Sequence, residues 1–305
     1  MHIRVLGSAA GGGFPQWNCN CANCQGLRAG TVKARARTQS SIAVSANGQD
    51  WLLVNASPDV LQQVREHPPL QPARAVRDSG IAAVLLMDAQ IDHVTGLLML
   101  RERSTPLPLL ATPEVLSDIG NALPLTRVLS HYCGVAEHPL PLDGRAIEPP
   151  GVPGLQVVAV ALDSQPPPYS PFRGRPRPGD NIGLLLKNPQ SGAQVFYAPG
   201  LGALTPALRA LMAGCHTVLV DGTFWTEDEM IRLGLSKKRA AEMGHLPQSG
   251  PGGMLSELSR LPASVRKVLI HINNTNPILI EDSPERAELV RHGVEVAHDG
   301  MVIHF

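Results

Sequence analysis

The chain reads as an α/β fold, a four-layer αββα sandwich, and three observations carry that reading. Short β-branched and leucine runs recur along its length, several emptying into a polar turn that is followed by apolar residues at helical spacing. The pattern is stated twice, once in each half, with strands followed by helices. Glycine and proline are both abundant, 29 and 28 of 305 residues, as expected of many loops between short elements. No linker-like stretch interrupts the chain, so residues 1–305 read as a single domain.

Charge is balanced, 26 basic against 26 acidic residues, so net charge implies neither a nucleic-acid nor a membrane surface. No apolar run approaches the ~20 residues of a spanning helix. Met1–Gly7 reads as a strand and lacks the apolar core of a signal peptide. Five cysteines, three of them clustered, fit metal binding in a reduced compartment better than a disulfide framework, which predicts a cytoplasmic protein.

In chain order, the strand Ile3–Leu6 opens into the glycine loop Gly7–Gly13, whose backbone is free to approach a ligand closely. It is not a dinucleotide fingerprint, because Pro15 and Trp17 follow where a helix should start. Cys19, Cys21 and Cys24 come next, spaced to wrap a tetrahedral structural zinc at about 2.3 Å per sulfur; the alternative is three inert buried thiols. Lys33–Arg37 is a basic patch, either a solvated loop or an anion contact. Ser40–Ser45 and Trp51–Asn55 form a hairpin around Asn47-Gly48. Residues 60–80 look helical and loop-like. The strand Ala82–Met87 ends at Asp88, and after the turn through Gln90 and Asp92 a helix runs from His93 to Arg101-Glu102-Arg103. Pro108–Ala111 is a strand, and Thr112-Pro113 opens a helix as N-cap and first residue.

Gln156–Leu162 is a strand ending at Asp163. The stretch 165–180 is long, proline-stiffened and basic; its Arg173, Arg175 and Arg177 either form a lid that holds substrate carboxylates or face solvent as a surface loop. Asn181–Lys187 and Gln194–Tyr197 pair as a hairpin. A helix over 206–213, a strand His216–Val220 and a helix around Glu227–Leu233 lead to His245. The strand from Lys267 delivers His271 at its end. The helix Pro284–Arg291 and a hairpin turning at Asp299-Gly300 close the chain.

The frame Asp88-x-Gln90-x-Asp92-His93 followed by Thr95-Gly96 resembles the signature loop of the metallo-β-lactamase superfamily, which reads His-x-His-x-Asp-His. The resemblance implies a metallo-β-lactamase-like fold in which Asp92 and His93 hold a metal. The leading histidines are replaced by Asp88 and Gln90, which offer oxygen ligands to a hard cation but lack imidazole affinity. Taken alone, Asp88 and Asp92 also read as turn residues and His93 as a helix-start side chain. Asn55 and Asp59 stand in the superfamily turn that orients the signature loop. Asp163 occupies a position where a histidine ligand is usual, and reads equally well as a strand-end turn residue. Pro199 stands where dimetal members place a bridging aspartate, which argues against a two-metal hydrolase. Gly244-His245-Leu246 matches a late histidine, and His271 the last one.

Within the superfamily the whole chain resembles the coenzyme PQQ synthesis protein B family. The resemblance rests on Ala89-Gln90-Ile91-Asp92-His93, on Tyr197-Ala198-Pro199-Gly200-Leu201-Gly202 and on His271-Ile272-Asn273-Asn274-Thr275-Asn276-Pro277. It implies a role in pyrroloquinoline quinone biosynthesis: iron-dependent, O2-using hydroxylation of a peptide-derived tyrosine. An older suggestion is a carrier that moves the quinone or its precursor toward the periplasm, and a single-metal hydrolase is a third reading. Asp92, His93 and His271 offer one carboxylate and two imidazoles, the facial set that leaves positions open on Fe(II); zinc or copper would also bind it. His245 then stands behind these ligands or carries a proton. The cysteine loop resembles that of carbon–phosphorus lyase accessory phosphodiesterases, where a histidine completes the zinc; here that position is Asn274, the candidate fourth ligand. The expected partners are a small peptide-derived substrate or PQQ precursor, other PQQ-pathway enzymes and a second copy of the chain in a homodimer.

Overall fold

The computed structural model describes residues 1–305. Its strands in chain order are β1 (His2–Gly7), β2 (Ser41–Ser45), β3 (Trp51–Val54), β4 (Ile81–Leu85), β5 (Leu107–Ala111), β6 (Val135–Pro139), β7 (Gln156–Ala161), β8 (Ile182–Lys187), β9 (Gln194–Ala198), β10 (Thr217–Asp221), β11 (Arg266–Ile270), β12 (Val294–Val296) and β13 (Val302–His304). They fall into two compact units. The first comprises Met1–Gly7, Ser40–Ala193 and Gly300–Phe305; the second comprises Ser8–Gln39 and Gln194–Asp299. Neither unit is one continuous stretch of chain, so no linker marks a boundary in the sequence.

The first unit is built on a seven-stranded mixed sheet in the order β13-β1-β2-β3-β4-β5-β6. The strands from β13 to β3 run antiparallel and those from β3 to β6 parallel. Every residue of β2 and β3 is buried, as central strands covered on both faces must be. Asn47 turns this hairpin by accepting the amides of Gln49 and Asp50 on its side-chain oxygen, both at 2.9 Å. Leu6, Trp51, Leu53, Leu86, Leu97 and Leu109 belong to one buried apolar cluster. The antiparallel partner of β8 is β7, in register from Gln156–Lys187 to Ala161–Ile182.

Past β4 the chain stays extended, with the Leu86 amide on the Leu110 carbonyl and the Met87 amide on Asn55 Oδ1 at 3.0 Å. Asn55 adopts a left-handed φ of 60° to make that bond. The helix expected from His93 to Arg103 is a single α turn, Ile91–Val94, that tightens into a 3-10 stretch, Thr95–Leu100. Close backbone approach is the cause. The Gly96 amide donates to the Ala56 carbonyl at 2.9 Å, and a Cβ on Gly96 would sit 2.1 Å from the Ser57 carbonyl oxygen.

In the second unit β9, β10, β11 and β12 are parallel neighbours, in the order β12-β11-β10-β9. Parallel strands need crossovers; the helix Pro206–Ala213 joins β9 to β10 and the helix Pro284–Arg291 joins β11 to β12. Thr205 and Ser283 cap those helices with their side chains. Asp221 lies in register with Ile270, so β10 and β11 deliver their last residues side by side.

The terminal hairpin expected at Asp299-Gly300 does not form. β12 runs parallel to β11, and β13 pairs antiparallel with β1. The Asp299 carboxylate accepts Ser8 Oγ at 2.7 Å, the Thr38 amide at 2.6 Å and Thr38 Oγ1 at 2.8 Å. Those bonds tie the turn to Ser8 and Thr38 instead of closing it on itself.

Gly96→Ala is expected to lower folding stability by at least about 1–3 kcal/mol, because its obstacles are backbone carbonyls that cannot swing aside. A urea midpoint equal to that of the unsubstituted protein would contradict the close-approach account.

Candidate metal centre

The first unit supplies the loop at the end of β4. Asp88 lies in an isolated antiparallel bridge with Asn181, and the Ile182 amide donates to the Met87 carbonyl at 3.0 Å, so the loop is zipped to the start of β8. Both oxygens of the Asp88 carboxylate face His93 Nδ1, at 2.8 and 2.9 Å. With a proton on Nδ1, the lone pair is on Nε2, the tautomer a metal requires. Asp92 Oδ2 lies 3.7 Å from His93 Nε2. Two ligands each about 2.1 Å from one ion can be no more than about 4.2 Å apart, so this pair fits a single ion. The Asp88 carboxylate, read from sequence as a candidate ligand, is placed to orient His93. Gln90 shapes the turn through its backbone, its amide on Asp88 Oδ1 and its carbonyl accepting the His93 amide, both at 2.9 Å.

Burial alone would favour a neutral His93. The charges of Asp88 and Asp92 and the hydrogen bond to Asp88 outweigh it, and the imidazole is pushed up to about 9 from an ordinary 6.5.

The second unit gathers Asp221, His245 and His271, whose ligand atoms lie within 4.8 Å of one another. Asp221, fully buried at the end of β10, accepts the Leu201 amide and His245 Nδ1 on Oδ2 at 2.9 and 2.6 Å, and the Thr223 amide on Oδ1 at 2.9 Å. Its oxygens are thereby committed to positioning. Thr223 Oγ1 donates to the His271 carbonyl at 2.9 Å, which leaves its lone pairs to accept Nδ1 of His271 at 2.9 Å and of His245 at 3.1 Å. Both imidazoles therefore carry the Nδ1 proton and present Nε2. Their rings stack at 5.5 Å. His271 holds a φ of 61°, a left-handed conformation costly for a residue with a side chain and typical of functional sites. Asp221 and Thr223 escape a motif search, although an aspartate closing the apolar run Thr217–Val220 was visible as a strand-end residue.

Cys19, Cys21 and Cys24 converge in the second unit, their sulfurs within 4.8 Å of one another. Cys21 stands immediately before the helix Ala22–Ala29, and Cys24 lies in its first turn. The side-chain amide of Asn274 lies 3.0 Å from Cys19 Sγ, 3.3 Å from Cys24 Sγ and 3.7 Å from Cys21 Sγ. Rotated so that Oδ1 faces the sulfurs, it supplies a fourth donor to three thiolates. Burial pushes the Cys21 thiol up to about 11, so a Cys21 thiolate needs a nearby cation.

The remaining predicted residues lie in the first unit. Asp163 is exposed just past β7. In the Pro/Arg loop, Arg177 is committed locally: its Nε and Nη2 bond Asp180 Oδ1 at 3.1 and 2.7 Å, and its guanidinium stacks 3.6 Å over Phe172. Arg173 donates to the Pro166 carbonyl and Arg175, at 3.4 Å, to that of Pro171. Tyr169 Oη donates to the Ala89 carbonyl, which fastens the loop to the Asp88–Gln90 turn. A cavity of about 790 Å³ opens beside Arg74, Ile81, Met99, Arg103 and Leu107, at the end of β4 and β5 opposite to Asp88.

The model of the β-lactamase superfamily domain matches residues 50–272. Coenzyme PQQ synthesis protein B of Cupriavidus necator is 65% identical over 301 residues, covering 99% of this chain and 98% of that one. Its counterpart in Azoarcus sp. is 64% identical and covers 99% of each. This chain belongs to the coenzyme PQQ synthesis protein B family. Its role therefore lies in PQQ synthesis, and its fold is the α/β, four-layer αββα sandwich of the metallo-β-lactamases. The crystal structure of Zn(2+)-bound PqqB from Methylobacterium extorquens superimposes with a TM-score of 0.89 at 39% identity over 100% of both chains. A diphosphatase of the PhnP family shares the fold, with a TM-score of 0.68 at 18% identity over 100% of this chain and 96% of that one. In this member of the PqqB family the two halves of the signature loop are placed differently: the Asp88 carboxylate holds His93 Nδ1, and Asp92 Oδ2 lies on the Nε2 side of the ring.

Because His93 is raised above its unfolded value, its pairing with Asp88 stabilises the metal-free protein fully below about pH 6.5, and that contribution is lost as the pH climbs through about 9. Urea melts of metal-free protein across this range should show the loss, and Asp88→Asn should flatten it. Coincident profiles for the two proteins would overturn the assignment of Asp88.

Proposed function

We propose that this chain performs an iron-dependent, O2-using hydroxylation of a tyrosine-containing, peptide-derived precursor in PQQ synthesis, at one metal held by Asp92, His93 and His271. The observation that carries the reading is that His93 and His271 each have Nδ1 committed, to Asp88 and to Thr223, so each presents Nε2. With the Asp92 carboxylate these make one carboxylate and two imidazoles, the donor set of a facial triad. Fe(II) held there would supply the activation of O2 beside the substrate, one oxygen atom going to the ring and the other leaving as water with two electrons from an external reductant. Asp88 and Thr223 hold the two rings in the metal-binding tautomer. Asp221 holds His245, whose Nε2 is suited to take a proton from the substrate phenol and return it. Arg173 and Arg175 are the loop arginines left to meet substrate carboxylates, Arg177 being spent on Asp180 and Phe172.

We further propose that Cys19, Cys21, Cys24 and Asn274 hold a structural zinc. A two-metal hydrolase is disfavoured because a second metal lacks donors in the signature loop: Asp88 is turned to His93, Asp163 is exposed, and Pro199 follows β9 where a bridging carboxylate would be needed. A carrier would need no such set of ligands. No helix is long and apolar enough to cross a membrane. The reduced, clustered thiols support work in the cytoplasm beside the other PQQ-pathway enzymes.

His93→Ala and His271→Ala should each abolish iron-dependent oxygen uptake with a tyrosine-containing dipeptide while the cysteine-bound zinc stays in place. Cys21→Ser should do the reverse, losing zinc and fold stability together, because binding energy at such a site is folding energy. Normal turnover in both histidine variants would sink the proposal. So would an unsubstituted protein that consumes no oxygen with iron but hydrolyses a phosphodiester with zinc.

A further inference from the structure

We infer that the tip of the segment between Trp225 and His245 is a docking surface for an acidic polypeptide segment bearing apolar side chains. The base of the segment is firmly held. The buried Glu229 carboxylate accepts the Trp225 amide at 2.7 Å and the Thr275 hydroxyl, the Ala240 amide bonds the Glu227 carbonyl at 2.9 Å, and the His245 amide bonds the Ala240 carbonyl at 3.1 Å. The tip between those anchors carries the opposite character. Gly234, at a φ of 67°, turns the chain, with its amide on the Ile231 carbonyl and that of Leu235 on the Met230 carbonyl, both at 3.0 Å. This turn leaves Ile231, Leu233 and Leu235 exposed by 39%, 48% and 50%.

Exposed aliphatic residues scattered singly need no explanation, but three on one hydrogen-bonded turn form a patch. Beside it Lys237, Lys238 and Arg239 are exposed, and their side chains enter no ion pair. Residues 231–239 hold four basic residues and no acidic one, in a chain whose charges balance at 26 to 26. An occupant must therefore bring carboxylates to the basic run and apolar side chains to the turn.

A flat anionic membrane fits this tip less well. Glu227, Asp228 and Glu242 flank it and would face a headgroup plane, whereas a narrow peptide can pass between them. The helical part of the tip, Glu229–Arg232, is one turn and offers no amphipathic face to a bilayer. The inference does not depend on the metal chemistry proposed above.

The test uses the full metal-loaded protein and short fluorescein-labelled peptides that alternate Glu with Leu, Lys with Leu, or Glu with Ser, followed by anisotropy. The Glu/Leu peptide should bind about tenfold more tightly than either control and weaken with added salt. The double variants K237E/K238E and L233S/L235S, checked by circular dichroism and metal content, should each lose about tenfold of that binding. Equal binding of all three peptides, or binding indifferent to both double variants, would overturn the proposal. Two other results would overturn it in favour of a different occupant: binding to anionic phosphatidylserine vesicles without binding to the peptide, or a dimer in sedimentation that L233S/L235S dissolves.

Discussion

An imidazole binds a metal dependably through one nitrogen only when the other is held by something that does not move. Each candidate histidine here meets that condition with a different partner: a carboxylate for His93, a threonine hydroxyl for His271, and both a carboxylate and that hydroxyl for His245. The partners stand at or just past strand ends, Asp88 beyond β4 and Asp221 closing β10. Rings held this way need little reorganisation when an ion arrives, and that is what a rigid scaffold contributes to a site.

The backbone around each ring is fixed by the same logic. Asn55 and Gly96 hold the two sides of the first loop, one through its side chain and the other by having none. In the second unit the strained φ of His271 is sustained by its successor: Ile272 donates to the Ser8 carbonyl and accepts the Ala10 amide, both at 2.9 Å. The run Ser8–Ala10 thus acts as a short extra strand against Ile272. The opening of the glycine loop is structural there, a role its composition did not suggest.

Features coded by local pattern were legible in the sequence. The Asn47-Gly48 hairpin, the helix capped by Thr112 and the clustered thiols depend on neighbours a few residues away, and motif or periodicity finds such neighbours. The family was legible too, because Asp92-His93, Gly244-His245-Leu246 and the run from His271 keep their frame. What the sequence concealed depends on partners far along the chain. Thr223 serves His271 48 positions later, and Asp299 binds Ser8 291 positions earlier, which is why the terminal hairpin expected at Asp299-Gly300 opens. Asp88 was a candidate ligand by its place in the motif, and only the orientation of its carboxylate shows it serving His93. Arg177 belonged with its two neighbouring arginines by charge, yet Phe172 and Asp180 take it for the loop itself.

The central proposal is that His93 and His271 each bind metal through Nε2 because Asp88 and Thr223 hold their Nδ1 protons. Proton NMR of the cobalt(II)-substituted protein reads this directly: an imidazole bound through Nε2 gives one sharp far-shifted ring signal, its exchangeable Nδ1 proton, whereas one bound through Nδ1 gives two, the exchangeable Nε2 proton and the non-exchanging Cδ2 proton. The account predicts such exchangeable signals from both histidines, with one lost in His93→Gln and another in His271→Gln. A sharp, non-exchanging ring partner to either exchangeable signal, or a spectrum that neither substitution alters, would contradict it.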